Sequence, residues 1–205
     1  MTYTDLFEND EMKLINLLPH DGEAYYHGKI LDDVTADRYW VECINQLSWE
    51  HDRAFMFGKE IVTQRKVAWY ADQPVSYRYS GYTKTALIWP DFLREIKQRV
   101  ESSSGDIFNS CLCNFYSSGD EGMGWHSDGE KELVEAGVIG SLTLGSARRF
   151  SFKHKVTGER LSLNLEHGSL LIMKGNTQKN WLHSLPKTKK VFEPRVNLTF
   201  RQMRF

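Results

Sequence analysis

At 205 residues, with 40% hydrophobic and 26% charged residues, five prolines and 15 glycines, the chain has the composition of one ordinary globular domain. That excludes a disordered, collagen-like or coiled-coil protein. Its longest apolar runs, such as Gly168 to Met173, fall far short of the roughly 18 residues a membrane span needs. The acidic start (Asp5, Glu8, Asp10, Glu11) is unlike a signal peptide, so an intracellular protein with no membrane partner is expected. Three cysteines, with Cys111 and Cys113 on one face of a strand, point to reduced thiols rather than a disulfide framework. The net charge of −1 conceals segregation: residues 1–52, 53–100, 101–145 and 146–205 carry −9, +5, −7 and +10. The basic segments either assemble a cationic face for a polyanion or pack beside the acidic ones and cancel. A cationic face from residues such as Arg65, Lys66, Arg148, Arg149, Lys153 and Lys155 predicts affinity for phosphates that falls steeply with salt.

In chain order, residues 1–25 read as an acidic tail laid across the domain, with Leu14, Leu17 and Leu18 near Pro19. Trp40, Ile44 and Leu47 recur at helical spacing within 34–47. Pro90 suits a first helical position, Asp91 the positive amino end, and Leu93, Ile96 and Val100 form an apolar stripe that ends before Gly105. From Phe108 the signals become strand-like: Ser110 to Tyr116, Val138 to Leu144, Arg149 to His154, Arg160 to Leu165, Ser169 to Met173 and Arg195 to Arg201. The expected class is α+β, a β-sandwich or jelly roll supported by helices from the amino-terminal side.

His126-Ser127-Asp128 is an H-x-D element, and His183 follows 57 positions later. Two imidazoles and one carboxylate can take one face of an octahedral metal and leave the other open, the ligand set of non-haem Fe(II) oxygenases. Taken alone, H-x-D is a weak signal. The segment Arg195 to Arg201 strengthens it, because a strand puts Arg195, Asn197, Thr199 and Arg201 on one face and Val196, Leu198 and Phe200 on the other. A core strand burying two guanidiniums needs anions, which a dicarboxylate would supply through bidentate bonds, whereas an edge strand would leave the row solvated. Asn114 and Tyr116 could complete an acid pocket.

The order Asn114-x-Tyr116, His126-x-Asp128, His183 and R-x-N-x-T-x-R from Arg195 to Arg201 resembles the AlkB family of 2-oxoglutarate- and Fe(II)-dependent dioxygenases. Similarity runs from about Phe55 to Met203 and is strongest to the nucleic-acid repair members, including those acting on duplex DNA. The resemblance implies a double-stranded β-helix. A catalytic core at 106–203 would follow supporting helices and a nucleotide-recognition segment at 50–85, all within one domain spanning 1–205. It implies that His126, Asp128 and His183 hold Fe(II), and that Asn114, Tyr116, Arg195 and Arg201 bind 2-oxoglutarate with Asn197 and Thr199 beside them. Tyr77, Tyr79, Ser80 and Glu130 fall where the family lines its nucleobase pocket, with Arg65-Lys66 upstream. Phe57-Gly58-Lys59 resembles the intercalating finger of duplex-repairing members; Phe55 and Phe57 could equally alternate in a core strand.

The implied activity is oxidative demethylation of bases such as 1-methyladenine and 3-methylcytosine. Dioxygen and 2-oxoglutarate would be consumed, and succinate, carbon dioxide and formaldehyde released. The implied partner is alkylated DNA, with RNA open, and the protein is expected to be monomeric, cytoplasmic in a bacterium and nuclear in a eukaryote. Gly129, where close relatives often have an acid, leaves the preferred base open. Two alternatives stand: the same chemistry on modified RNA or a protein side chain, and a non-enzymatic jelly-roll binding module.

Overall fold

The computed structural model describes residues 14–56, 59–79 and 82–205, with side chains inside 54–61 and 77–84 left out. After an irregular strap over 14–22, the chain forms β1 (Glu23–Lys29), helix α1 (Asp33–Gln46), β2 (Glu50–Met56) and β3 (Lys59–Ala71). There follow β4 (Ser76–Tyr79), β5 (Tyr82–Thr85), β6 (Leu87–Ile88) and helix α2 (Asp91–Ser104). The second half carries β7 (Ser110–Tyr116), β8 (Met123–His126), β9 (Ile139–Gly145), β10 (Arg148–His154), β11 (Arg160–Leu165) and β12 (Ser169–Lys174). It closes with the four-residue helix α3 (Thr177–Asn180), β13 (Trp181–Leu185) and β14 (Arg195–Arg201).

The major sheet runs β1-β12-β9-β14-β7-β3-β2, with β6 parallel to β3; the minor sheet runs β11-β10-β13-β8. Facing antiparallel sheets of this kind make the jelly roll expected from the sequence. The major sheet reaches beyond 106–203, however, because β1, β2 and β3 come from the amino-terminal half. The expected tail is shorter than 1–25: β1 pairs with β12 from Glu23 onward, and its edge position with little burial explains why no alternation announced it.

Helix α1 starts where the Asp32 carboxylate accepts the Thr35 N–H at 2.8 Å. Helix α2 begins one residue later than expected, with Pro90 extended as its cap and Asp91 first in the helix; it ends at Gly105 in the left-handed region (φ 73°). Both helices cover the outer face of the major sheet, where Val196, Leu198 and Phe200 join Leu93, Ile96, Val100, Tyr39 and Cys43 in one apolar core. A second core lies between the sheets, built from Phe152, Trp181, Leu165, Leu171 and Met173 and closed by Leu18 of the strap. The alternation read in β14 therefore separates two environments: the apolar side seats the helices, and the polar side faces the space between the sheets. Cys111 and Cys113 project together into the apolar core as free thiols, 3.8 Å apart at sulfur.

Candidate metal and co-substrate site

Neighbouring strands of the minor sheet bring the two histidines together. His183 on β13 is directly opposite His126 on β8, with ring centroids 4.2 Å apart, and the chain turns back at once to present Asp128. Both Nε2 atoms lie 3.7 Å from Asp128 Oδ1. His126 donates from Nδ1 to the Gly124 carbonyl at 2.8 Å, which leaves its Nε2 lone pair facing the cluster. His183 stacks on Phe150, and burial, opposed by Asp128, lowers its pKa to about 4, so the ring is neutral at neutral pH. Burial pushes the Asp128 carboxyl up, but Arg201 and the two imidazoles outweigh it and hold the group below its ordinary range. A neutral His183 ring and an ionised Asp128 carboxylate are the states in which these two groups can ligate a metal.

Asp128 is fixed at two further points. Its Oδ2 accepts from Arg201 Nη2 at 2.7 Å, and its backbone N–H donates to Gln178 Oε1 on α3 at 2.9 Å. The loop between β7 and β8 is seated just as firmly. A Cβ at Gly122 would stand 2.4 Å from the Leu185 carbonyl, so only glycine lets this loop lie against the end of the strand that carries His183.

The polar face of β14 continues the site. Arg195 is 2% exposed, and its Nη2 donates to Thr143 Oγ1 at 2.8 Å and Asn197 Oδ1 at 2.6 Å. Asn197 also accepts from Ser141 and donates to Thr199. The Tyr116 ring lies 5.7 Å from the guanidinium, while Nε has no hydrogen-bond partner. Burial, with Tyr116 opposing, lowers Arg195 to about 10. A buried cation among neutral groups with an unused donor calls for an anion. Asn114, Tyr116, Arg195, Asn197, Thr199 and Arg201 line one cavity with His126, Asp128 and His183. The donor set thus fits a metal, and the Arg195 end fits the carboxylate of a co-substrate.

Several residues important here were not singled out from the sequence: Ser141, Thr143, Phe150 and Gln178. Ser141 and Thr143 carried a usable signal, two hydroxyls spaced by two inside an otherwise apolar strand, whereas Gln178 on its four-residue helix carried none.

The substrate-side residues distribute unevenly. Glu130 Oε1 lies 3.5 Å from Arg201 Nη1, at the start of a wide groove that leads away from Asp128. Arg65 is a wall of the co-substrate cavity, bonded to Asp52 and, at 2.8 Å, to Asn114 Oδ1. Tyr77 and Tyr79 are on the backbone of β4 and Lys59 opens β3, but their side chains lie outside the description, as do Phe57, Gly58 and Ser80 entirely. Of the expected cationic face, Arg148 is buried and donates to the carbonyls of Ser118, Gly119, Glu121 and Pro186; it ties two loops together instead of meeting solvent.

The model of the 2OG-Fe(II) oxygenase superfamily matches residues 23–201. The DNA oxidative demethylase ALKBH2 of Mus musculus is 41% identical over 156 residues, covering 72% of this chain and 65% of its own length. The alpha-ketoglutarate-dependent dioxygenase alkB homolog 3 of Homo sapiens is 42% identical over 147 residues, covering 67% of this chain and 51% of its own. The chain thus spans about half to two thirds of the curated relatives it matches. The solved structure of OsALKBH1, 17% identical, shares the fold with a TM-score of 0.59 over 92% of this chain and 99% of that one. Matched over most of its length, the chain belongs to the 2OG-Fe(II) oxygenase superfamily, among its AlkB-like members.

Proposed function

We propose that this chain is an Fe(II)- and 2-oxoglutarate-dependent oxygenase that removes N-methyl groups from damaged bases in DNA, 1-methyladenine and 3-methylcytosine first among them. The observation that carries the reading is the buried Arg195, with no carboxylate partner, in the same cavity as His126, Asp128 and His183, in a chain 41% identical to a DNA oxidative demethylase. His126, Asp128 and His183 would hold the iron, and Asn114, Tyr116, Arg195 and Arg201 would bind 2-oxoglutarate, with Asn197 and Thr199 beside them. Iron held by these three residues would supply the oxidising chemistry, in which dioxygen and 2-oxoglutarate are consumed, succinate and carbon dioxide are formed, and the methyl group is hydroxylated and leaves as formaldehyde. The protein's own contribution is placement: Arg201 and Gln178 fix Asp128 from two sides, and Phe150 backs the His183 ring.

A methyl on the pairing edge is out of reach inside a duplex, so the base must be turned out, which bad pairing makes easier. Tyr77, Tyr79, Ser80 and Glu130 are assigned to receiving it, and Phe57, Gly58 and Lys59 to the gap left behind. Arg149, Lys153 and Lys155, which stay at the surface, supply the phosphate contacts. No helix among the described residues is long and apolar enough to cross a membrane. A DNA substrate would place the protein in the nucleus of a eukaryote or the cytoplasm of a bacterium, acting as a monomer.

The test is turnover on an oligonucleotide bearing one 3-methylcytosine, as single-stranded DNA, duplex DNA and RNA in parallel, scoring succinate and formaldehyde. Equimolar, lesion-dependent release from DNA is expected. Succinate unchanged by any methylated strand would overturn the nucleic-acid assignment, and preference for the RNA strand would move it to RNA.

A further inference from the structure

The outward face of the minor sheet has a composition that neither the metal site nor the core requires. None of its four strands, β8, β10, β11 and β13, contains an aspartate or glutamate. Alternation turns Phe150, Phe152, Leu161 and Leu163 inward to the core between the sheets, so Arg149 and Lys153 on β10 and Arg160 and Ser162 on β11 face out, with Ser151 on that side covered by its neighbours. Among the described residues, no carboxylate pairs with Arg149, Lys153 or Arg160. Trp125, adjacent to the inward-facing His126 on β8, must point outward and is 40% exposed. Strands β8 and β11 are opposite edges of the sheet, yet the Arg160 guanidinium stands 5.7 Å from the Trp125 ring centroid. The two side chains therefore reach toward each other across the face.

An exposed indole beside an arginine with no carboxylate partner, on a face with two further cations, is poor company for an apolar protein surface and good company for a nucleotide. The cations answer phosphates, and the ring answers a base face, which every base offers whatever its sequence. In a duplex those faces are covered by the neighbouring pairs; in a single strand they are free. We propose that Trp125 and Arg160 form a stacking site for an unpaired nucleotide, Trp125 taking the base and Arg160 its phosphate, so that the outer face of the minor sheet selects single-stranded nucleic acid. This rests on the nucleic-acid reading above and adds a strand preference to it.

The test uses the full chain and fluorescence anisotropy with a labelled 12-residue oligothymidylate, alone and paired with oligoadenylate, over one shared series of salt concentrations. Trp125→Ala should weaken single-strand binding by about 5- to 150-fold, the range of one base–aromatic stack, while moving duplex binding by less than about twofold. Arg160→Ala should weaken both strands and reduce the slope of log affinity against log salt by about one. Oligothymidylate should also quench the protein's tryptophan fluorescence, and Trp125→Phe, which keeps an aromatic ring and the fold, should bind the single strand yet lose that quenching. Unaltered single-strand affinity in Trp125→Ala, an equal loss on duplex, or undiminished quenching in Trp125→Phe would overturn the proposal. Failure of the unmodified chain to bind either oligonucleotide while still binding metal and 2-oxoglutarate would refute the nucleic-acid reading itself.

Discussion

Two clusters in this protein have the same composition. His126, Asp128 and His183 bring three candidate ligand atoms within 4.8 Å of one another, and so do His20, Asp21 and His154. The difference lies in where the ring protons must be. His126 spends its Nδ1 proton on a carbonyl, so its other nitrogen can offer a lone pair to a metal. His154 does the reverse: its Nδ1 accepts the Thr157 N–H at 3.1 Å, so the neutral ring carries its proton on Nε2, the atom 3.5 Å from Asp21 Oδ2. A metal there would have to displace that proton and the Thr157 bond together. Both nitrogens of His20 face carboxylates, Asp21 at 2.9 Å and Glu159 at 3.1 Å, which suits an imidazolium and leaves no lone pair. One cluster is a ligand cup and the other a hydrogen-bonded clasp. What distinguishes them is the partner of the second ring nitrogen, not residue type or spacing.

The largest expected effect is a crossover between them. His126→Ala should weaken Mn(II) or anaerobic Fe(II) binding by more than about 100-fold, beyond the 10- to 100-fold cost of losing an outer partner, with little change in melting temperature. His154→Ala should leave metal binding intact but destabilise the chain by about 1 to 3 kcal/mol, because it removes a buried ring together with its bond to the Thr157 N–H. Calorimetric titration should return one metal per chain. Two sites, or metal loss in His154→Ala, would break the distinction.

A smaller effect should follow from Gln178, which touches no ligand atom but holds the Asp128 backbone. Gln178→Met keeps the length of the side chain and removes the acceptor, so metal affinity should fall by about 10- to 100-fold. Gln178→Glu restores an acceptor at the same reach and should recover most of it. Titration of all three forms with Co(II), read from its visible spectrum, separates positioning from general damage; equal affinity in Gln178→Met and the unmodified chain would remove Gln178 from the site.

The sequence was legible wherever one face of an element meets water or a second core. The β14 row could be read because its two faces serve different environments, and α1 and α2 because each has one buried stripe. Strands β8 and β13, which carry both histidine ligands, are four and five residues long, and β13 is buried on both faces, so neither shows a period. Adjacent arginines make the same point. Arg148 and Arg149 count equally in the charge total, yet one is buried against four carbonyls and the other is exposed, because a strand sends neighbours to opposite sides. Charge segregation along the chain is thus only partly a statement about the surface. Gln178 was invisible because its role depends on where the H-x-D turn comes to rest, 50 residues upstream.

The smallest effect belongs to the clasp, and it sharpens the comparison from the other side. His20 joins the strap over 14–22 to the turn between β10 and β11, with its ring 4.8 Å from His154 and 5.6 Å from Trp181. Hydrogen bonds to Asp21 and then Glu159 raise its pKa above 6.5, with burial opposing. A raised value in the folded state means the clasp's stabilisation is complete below pH 6.5 and is lost as pH rises through the folded value. His20→Gln should therefore lower the melting temperature near pH 6 and change it progressively less at higher pH. Because water screens exposed charges, the shift should be modest. Scans of both proteins from pH 5.5 to 9, with and without Mn(II), would decide it. If the clasp binds no metal, the pH-dependent difference between the two proteins should be the same in both series, and a difference that collapses or grows when metal is added would put His20 in a ligand cup after all.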